Sequence, residues 1–243
     1  MITVVVPIYN EKDNIEPLVK KIFYVAEELP VSEIIYVDDS STDGSYDVLC
    51  ELKSHYPALR IIKHKKKFGQ SAALWTGVNA AVNKIIVTLD GDGQNPPEDI
   101  KILLKAYNTH KKNLPRLMVA GERIKRNDTL LRRISSRAAN GIRSGLLKDK
   151  TKDTGCSMKL FFRSDYLKLP YFDHMHRFLP ALMLREGVDL IHVGVSHKPR
   201  VYGESKYKTF QRAVVGISDL IGVLWLKKRS RRALEKDITE VSI

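Results

Sequence analysis

A chain of 243 residues with 43% apolar content, 14 Gly and 10 Pro is globular rather than disordered in composition, and a single domain is expected. Its 41 Lys and Arg against 28 Asp and Glu, a net charge of +13, favour a polyanionic partner: nucleic acid, anionic lipid or a phosphorylated substrate. Cys50 and Cys156 are too few for a disulfide framework or a zinc site, and the start "MITVVVPIYN" has no charged n-region or cleavage site, so the expected setting is the reducing cytosol.

Taken in chain order, β-branched runs at Ile2 to Val6, Glu33 to Val37, Arg60 to Lys63, Lys84 to Leu89 and Leu117 to Ala120 read as strands. Stretches of helical spacing lie between them, such as Asn14 to Glu28, which Asp13 or Asn10 can cap, and Ser45 to Ser54, which Asp43 can cap. This βαβ rhythm predicts a mostly parallel α/β sheet with helices on both faces. After Met118 the rhythm breaks into a basic helical segment from Leu130 to Leu147, a strand pair around Met158 to Phe162 and a helix from Phe178 to Arg185. No internal repeat or low-complexity linker divides the chain.

Ligands of such sheets bind beyond the carboxyl ends of the strands. Three polar clusters fall there: Pro7-Ile8-Tyr9-Asn10-Glu11, Asp38-Asp39-Ser40-Ser41-Thr42-Asp43-Gly44, and Asp90-Gly91-Asp92 in "VTLDGDGQNP". Each alone reads as turn and helix-cap residues; their convergence on one edge points to a site. Alternate residues of an extended segment project to one side, so Asp92 and Gln94, with Asp90 behind, offer oxygen ligands to Mg²⁺ or Mn²⁺ and leave positions for substrate phosphates. An EF-hand is excluded by the absent loop and terminal Glu, and a dinucleotide fold or P-loop by the absence of G-x-G-x-x-G and G-K-[ST].

"VVVPIYNEKDNI", "IIYVDDSSTDGS", "KKKFGQSAALWTG" and "VTLDGDGQNPPEDI", in this order and spacing, resemble the nucleotide-sugar-binding half of family 2 glycosyltransferases with the GT-A (Rossmann-like) fold. "VAGERIKRND", "LRRISSRAANGI", "DTGCSMKLFFRSD" and "HRFLPALMLREGVDLIHVGVSHKPRVYGESKY" extend the likeness to the dolichyl-phosphate mannosyltransferase and bacterial polyprenyl-phosphate sugar synthase branch. The resemblance runs over residues 2–210 and divides them into a donor half, 1–116, and an acceptor half, 117–210. It implies that Pro7, Tyr9, Glu11 and Asp39 line a nucleoside pocket for a UDP- or GDP-linked sugar, and that Asp90 and Asp92 sit by the diphosphate. Asp92 and Gln94 would hold the metal. Gly69 and Gly77 would flank a loop and helix close to the site, and Lys65 to Lys67 read as solvated charges of which one can lie near phosphate.

On the acceptor side the resemblance implies that Arg123, one of Arg132 and Arg133, Ser136 and Arg200 grip a lipid phosphate, an undecaprenyl or dolichyl phosphate. The loop of Arg200, with Ser205 and Lys206, would close over the donor, and Asp92, Arg123 and Arg200 would carry the catalysis. Guanidinium forks suit phosphate because they bind it bidentately. His176-Arg177-Phe178 matches a motif at the sugar or acceptor pocket, whereas His174 and His192 read as structural. Family members that glycosylate hydroxyls place a carboxylate base in the region that reads "HMHRFLPAL" here, and Asp153 is the acidic candidate left, with a positioning role. A phosphate monoester is ionised at neutral pH and needs no base.

Ala213 to Leu226 is apolar but broken by Asp219 and shorter than the ~20 residues of a membrane span. The segment 211–243 therefore reads as an interfacial helix, with Trp225 at the headgroups and Lys227, Lys228, Arg229, Arg231 and Arg232 on anionic lipid; the alternative is a buried helix with a solvated basic tail. Together these readings predict an inverting, metal-dependent sugar transfer to polyprenyl phosphate at the cytoplasmic membrane face, by a peripheral enzyme. The alternative is a family 2 enzyme acting on a saccharide or lipid hydroxyl. Nucleic-acid binding is disfavoured, since no helix-turn-helix, RNP or zinc-finger pattern accompanies the charge.

Overall fold

A computed structural model describes residues 1–124, 141, 143–200 and 209–229, with the backbone alone over 209–215. The expectations for Arg132, Arg133, Ser136, Ser205, Lys206, Arg231 and Arg232 lie outside the described residues. Of the helix expected from Leu130 to Leu147, residues 141 and 143–147 are described and are helical.

Among the described residues the strands are β1 (Ile2–Ile8), β2 (Val31–Asp38), β3 (Leu59–Lys63), β4 (Ile85–Thr88), β5 (Leu117–Arg123), β6 (Lys159–Phe162) and β7 (Asp189–Val195). They form one sheet in the order β3-β2-β1-β4-β6-β5-β7. Only β6 runs antiparallel to its neighbours, β4 and β5. It is one strand inserted between two others, where the sequence reading expected a strand pair; the chain leaves it directly into a helix and supplies no hairpin partner. β7 has no counterpart among the predicted strands.

Successive residues of the central strands face opposite cores. Val4, Val6, Ile34, Tyr36 and Val87 join α1 (Lys12–Glu28), α2 (Ser45–His55) and α4 (Ile100–His110) on one side. Val5, Ile35, Val37, Ile86 and Met118 join α3 (Gln70–Ala80), α5 (Arg163–Leu167), α6 (Leu179–Arg185) and α7 (Thr209–Lys228) on the other. Burial on both faces is why these strands read as unbroken apolar runs. α3 lies so close to the sheet that a Cβ on Gly77 would stand 2.5 Å from Val5 Cγ1. Glycine is what permits that approach.

The helix starts are capped across loops. Asp43 Oδ1 accepts from Ser45 N at 2.9 Å, at the start of α2. Its Oδ2 accepts from Lys12 N at 3.1 Å, at the start of α1. One carboxylate thus meets free N–H groups of two helices. Neither Asp13 nor Asn10 caps α1: Asn10 takes a left-handed conformation, φ 53, and its side-chain oxygen accepts from Thr42 N at 2.7 Å. The loops after β1 and β2 are thereby tied together, and the edge that carries the polar clusters is braced.

Candidate active site

The parallel register aligns Ile8 with Asp38 and Val5 with Thr88, so β1, β2 and β4 end at the same edge and their polar continuations share one cleft of about 330 Å³. Pro7, Tyr9, Glu11, Asp39, Asp90, Asp92, Gln94 and Arg200 all line it. The chain after β4 crosses tightly over the end of β1: a Cβ on Gly91 would meet Ile8 Cγ2 at 2.5 Å and the Pro7 carbonyl oxygen at 3.2 Å. A glycine between the two aspartates lets both carboxylates reach the cleft.

Asp39, buried at the end of β2, organises one side of the cleft. Its carboxylate accepts from Phe68 N at 2.8 Å and Gly69 N at 2.7 Å and pairs with His64 Nδ1 at 2.8 Å. His64 Nε2 meets Thr76 Oγ1 of α3 at 3.0 Å. These bonds fold the Lys65–Lys67 stretch against the cleft. Lys67 enters its lining, with its ammonium 3.8 Å from the Tyr9 ring centroid, a cation–π contact that places a positive charge beside the expected nucleoside position.

Asp90 and Asp92 are held differently. Asp90 Oδ1 accepts from Gln70 Nε2 at 2.8 Å, and its backbone N–H donates to Ser157 Oγ at 3.0 Å. Burial, and then the negative charge of Asp92, push the Asp90 carboxyl up to about 6, against the pull of Lys159. Asp92 Oδ1 accepts from Gln94 N at 3.1 Å, and its Oδ2 accepts from Arg200 Nη2 at 3.0 Å. The same guanidinium nitrogen reaches Glu11 Oε1 at 3.2 Å, so Arg200 bridges the first and third polar clusters. Lys159 lies beneath, 5% exposed, with its ammonium donating to the Cys156 carbonyl. Burial lowers its pKa, against the attraction of Cys156 and Asp90.

The second half of the chain divides into residues that face the cleft and residues that brace it. His176 and Arg177 line it, and Phe178 is buried behind them. Ser71 Oγ lies 2.8 Å from His176 Nδ1 and accepts from His176 N at 3.3 Å. Arg123, at the end of β5, forms a fork-to-fork pair with Asp153: Nε to Oδ2 at 2.6 Å and Nη2 to Oδ1 at 2.7 Å. Its Nη1 takes no part in that pair. His192 meets Thr151 Oγ1 at 3.1 Å, away from the cleft.

Gln70, Ser71, Ser157 and Lys159 are site residues that the sequence reading missed. Gln70 follows Gly69 at a helix start, and Lys159 is a cation opening the apolar strand "KLFF". Both positions carried a signal, since a charged or amide side chain at the start of a buried element needs a partner.

Among the described residues no cluster of three His, Cys, Asp or Glu side chains could hold a metal by itself. The donor set for a hard cation is two carboxylates, Asp90 and Asp92, and the Gln94 amide, whose nitrogen donates to the Lys198 carbonyl at 3.3 Å. This set fits Mg²⁺ or Mn²⁺, which bind through one or two carboxylates and complete their shell with substrate phosphate and water. Two features of the structure agree: burial, and then the charge of Asp92, raise the Asp90 carboxyl, and the Arg200 guanidinium already stands at Asp92 as a cation.

Residues 3–169 match the model of the family described as glycosyl transferase family 2. The chain belongs to glycosyl transferase family 2. This family 2 chain is 33% identical over 239 residues to the dodecaprenyl-phosphate galacturonate synthase of Rhizobium johnstonii, covering 95% of itself and 68% of that protein. To the undecaprenyl-phosphate 4-deoxy-4-formamido-L-arabinose transferase of Edwardsiella ictaluri it is 32% identical over 210 residues, 85% of itself and 62% of the relative. It thus spans about two thirds of the length of these curated relatives. Among solved structures, glucosyl-3-phosphoglycerate synthase from Mycobacterium tuberculosis in complex with Mn²⁺, UDP and glucosyl-3-phosphoglycerate is similar with a TM-score of 0.63 at 17% identity, over 93% of this chain and 79% of that one. A mannosyltransferase from Pyrobaculum calidifontis in complex with GDP-Man and Mn²⁺ has a TM-score of 0.63 at 20% identity, over 97% and 66%. At these identities the likeness shows the fold, the GT-A arrangement expected from the sequence.

Proposed function

We propose that this family 2 glycosyltransferase moves one sugar, with inversion, from a nucleotide-sugar donor to polyprenyl phosphate at the cytoplasmic face of a membrane. One observation carries the reading. Every carboxylate that lines the cleft, Glu11, Asp39, Asp90 and Asp92, comes from the donor half, whereas the described lining from residue 117 onward brings Lys159, His176, Arg177 and Arg200 and no carboxylate. A cleft acidic toward a metal and basic toward the acceptor suits a nucleophile that arrives as an anion. The names of the relatives, both polyprenyl-phosphate sugar transferases, support it.

A divalent cation held by Asp90, Asp92 and Gln94 would neutralise the charge that develops on the departing nucleoside diphosphate. Gln70 and Ser157 orient Asp90, and the Asp39 carboxylate keeps the Lys67 loop closed on the donor. Arg200, which reaches Glu11 and Asp92 through Nη2 alone, would present the rest of its fork to phosphate. Arg123, expected at the acceptor phosphate, is not in the described lining of the cleft but paired with Asp153 beside Gly155, which is; it would reach the acceptor with Nη1, and one of Arg132 and Arg133 with Ser136 would complete the grip. Lys206 is kept for the donor. An acceptor oxygen, already ionised, forms the new bond to the anomeric carbon on the face opposite the breaking bond to the diphosphate. Release of nucleoside diphosphate from a panel of nucleotide sugars, measured with and without polyprenyl phosphate, tests the reading: acceptor-dependent release is expected, and release with no donor on the panel would overturn it.

A hydroxyl acceptor is the second reading. It needs a base, and His176 is the imidazole that lines the acceptor half of the cleft.

The membrane contact is proposed for α7. Ile217, Ile221 and Trp225, spaced by one helical turn, are 60%, 63% and 58% exposed, while Val223 is fully buried and Leu220, Leu224 and Leu226 pack on the second core. Among the described residues no helix is long and apolar enough to cross a membrane. The helix is therefore both a core element and an apolar surface, ending in Lys228 and Arg229. Lys227, expected on lipid, turns inward and donates to the Leu147 carbonyl. Replacing Ile217, Ile221 and Trp225 together by Ser should weaken binding to anionic vesicles by roughly a hundredfold, at ~1 kcal/mol per partly inserted side chain. The thermal transition should stay in place, because none of the three is in the core. Unchanged partition between buffer and vesicles would remove α7 from the contact.

A further inference from the structure

The turn Met175–Arg177 delivers His176 and Arg177 to the cleft, and it is fastened at three points. Ser71 of α3 holds His176 through both its backbone N–H and its imidazole. Arg143 Nη2 donates to the Arg177 carbonyl at 3.4 Å. The third fastening comes from α7: His174, just before the turn, places Nδ1 at 3.4 Å from Asp219 Oδ2.

His174 is in the left-handed region, φ 64, which a non-glycine residue adopts only where its surroundings hold it. Asp219 interrupts the apolar run of α7 between the exposed Ile217 and Ile221, and its carboxylate does not point outward with them. Its Oδ2 is shielded from solvent and has no hydrogen-bond partner among the described residues, which leaves the His174 imidazole, 3.4 Å away, as the polar group it faces. A shielded carboxylate on an apolar helix is costly unless it is paired.

We propose that Asp219 is a positioning residue: through His174 it holds the turn that carries His176 and Arg177, so that α7, on its lipid-facing side a membrane contact, also sets the acceptor side of the cleft. The proposal rests on the reading of the cleft and of α7 given above. A membrane that engages the exposed side of α7 would hold the turn through Asp219 on its other side. The two faces of one helix then couple the bilayer to the residues that meet the acceptor.

The test is amide hydrogen exchange on the full chain, with and without vesicles of phosphatidylglycerol and phosphatidylcholine; no substrate is needed, so its outcome is independent of the assigned reaction. The reporters are the turn amides of Met175, Arg177 and Phe178, hydrogen-bonded to the carbonyls of Phe172, His174 and Met175. Asp219→Asn should speed their exchange roughly tenfold, the scale of a modest coupling, and leave the amides of β1 and β4 unchanged. Vesicles should slow the turn amides in the wild type and not in the variant. His174→Gln, which leaves α7 intact, should act likewise, and the double variant should add little to either single one. In the transfer assay Asp219→Asn should raise KM for polyprenyl phosphate and leave KM for the donor unchanged, with partial rescue by Asp219→Glu. Turn amides that exchange as in the wild type in both variants, a vesicle effect that survives them, or faster exchange spread over the whole sheet would each overturn the proposal.

Discussion

Asp92→Asn is expected to lower turnover by at least about a hundredfold, the loss seen when one preorganised electrostatic group is removed from a reaction centre. The substitution keeps the side chain's shape and can retain the 3.1 Å bond from Gln94 N, so the loss reports charge rather than folding. EDTA should abolish activity, and Mg²⁺ or Mn²⁺ should restore it. Binding of Mn²⁺ measured without substrates gives the sign of the pH dependence. Asp90 titrates at about 6, so above that value the pair is ready for the cation. Below it a proton must be displaced, and affinity should fall roughly tenfold per pH unit. Because the charge of Asp92 is the second cause of the raised value, the limb should move to lower pH in Asp92→Asn. Full activity in chelator, or Mn²⁺ binding indifferent to pH between 4 and 8, would count against these roles.

Arg200→Ala should raise the apparent KM for polyprenyl phosphate roughly ten- to hundredfold, as expected for a lost charge-assisted contact of ~1.5–3 kcal/mol. Arg200 neutralises Glu11 and Asp92, so its removal has a second consequence: those carboxylates lose a competing cation and Mn²⁺ should bind at least as well as before. Weaker acceptor binding with undiminished metal binding separates a phosphate-gripping arginine from one that merely supports the acidic cluster. Lys at this position should rescue only in part, since a point charge does not reproduce the guanidinium fork. A lowered metal affinity with an unchanged acceptor KM would assign Arg200 to the acidic cluster alone.

How far the molecule was legible in its sequence follows from the kind of signal each part left. β1, β2 and β4 were plain because they are buried on both faces and their apolar runs end in polar clusters. β7 was not: "DLIHVGV" is only part-buried over most of its length and carries Asp189 and His192 within it, so no run stands out. The insertion of β6 between β4 and β5 follows from packing that no local pattern encodes. At the candidate site, "DGDGQN" was legible as a cluster because its carboxylates and amide are adjacent in sequence. Gln70 is separated from Asp90 by 20 positions, Ser71 from His176 by 105 and Arg200 from Asp92 by 108. Such pairs are invisible to spacing, and for Arg200 the resemblance to the family supplied a position but not the bridge to Glu11 and Asp92. Asp43 meets the α2 start as expected, whereas the expected α1 caps failed for a related reason, because the α1 start is bonded by Asp43 from another loop.

The measurement that bears most directly on the central claim is a comparison of polyprenyl phosphate with polyprenol of the same chain length, using the donor that the release assay selects and saturating Mg²⁺. Transfer to the phosphate alone is predicted, with an inverted anomeric centre in the product and no rate limb near neutral pH beyond those of the Asp90 pair and of the acceptor's own second ionisation. Transfer to polyprenol at a comparable rate, or an activity that vanishes with His176→Gln and follows the titration of that imidazole, would contradict the account and establish the hydroxyl acceptor in its place.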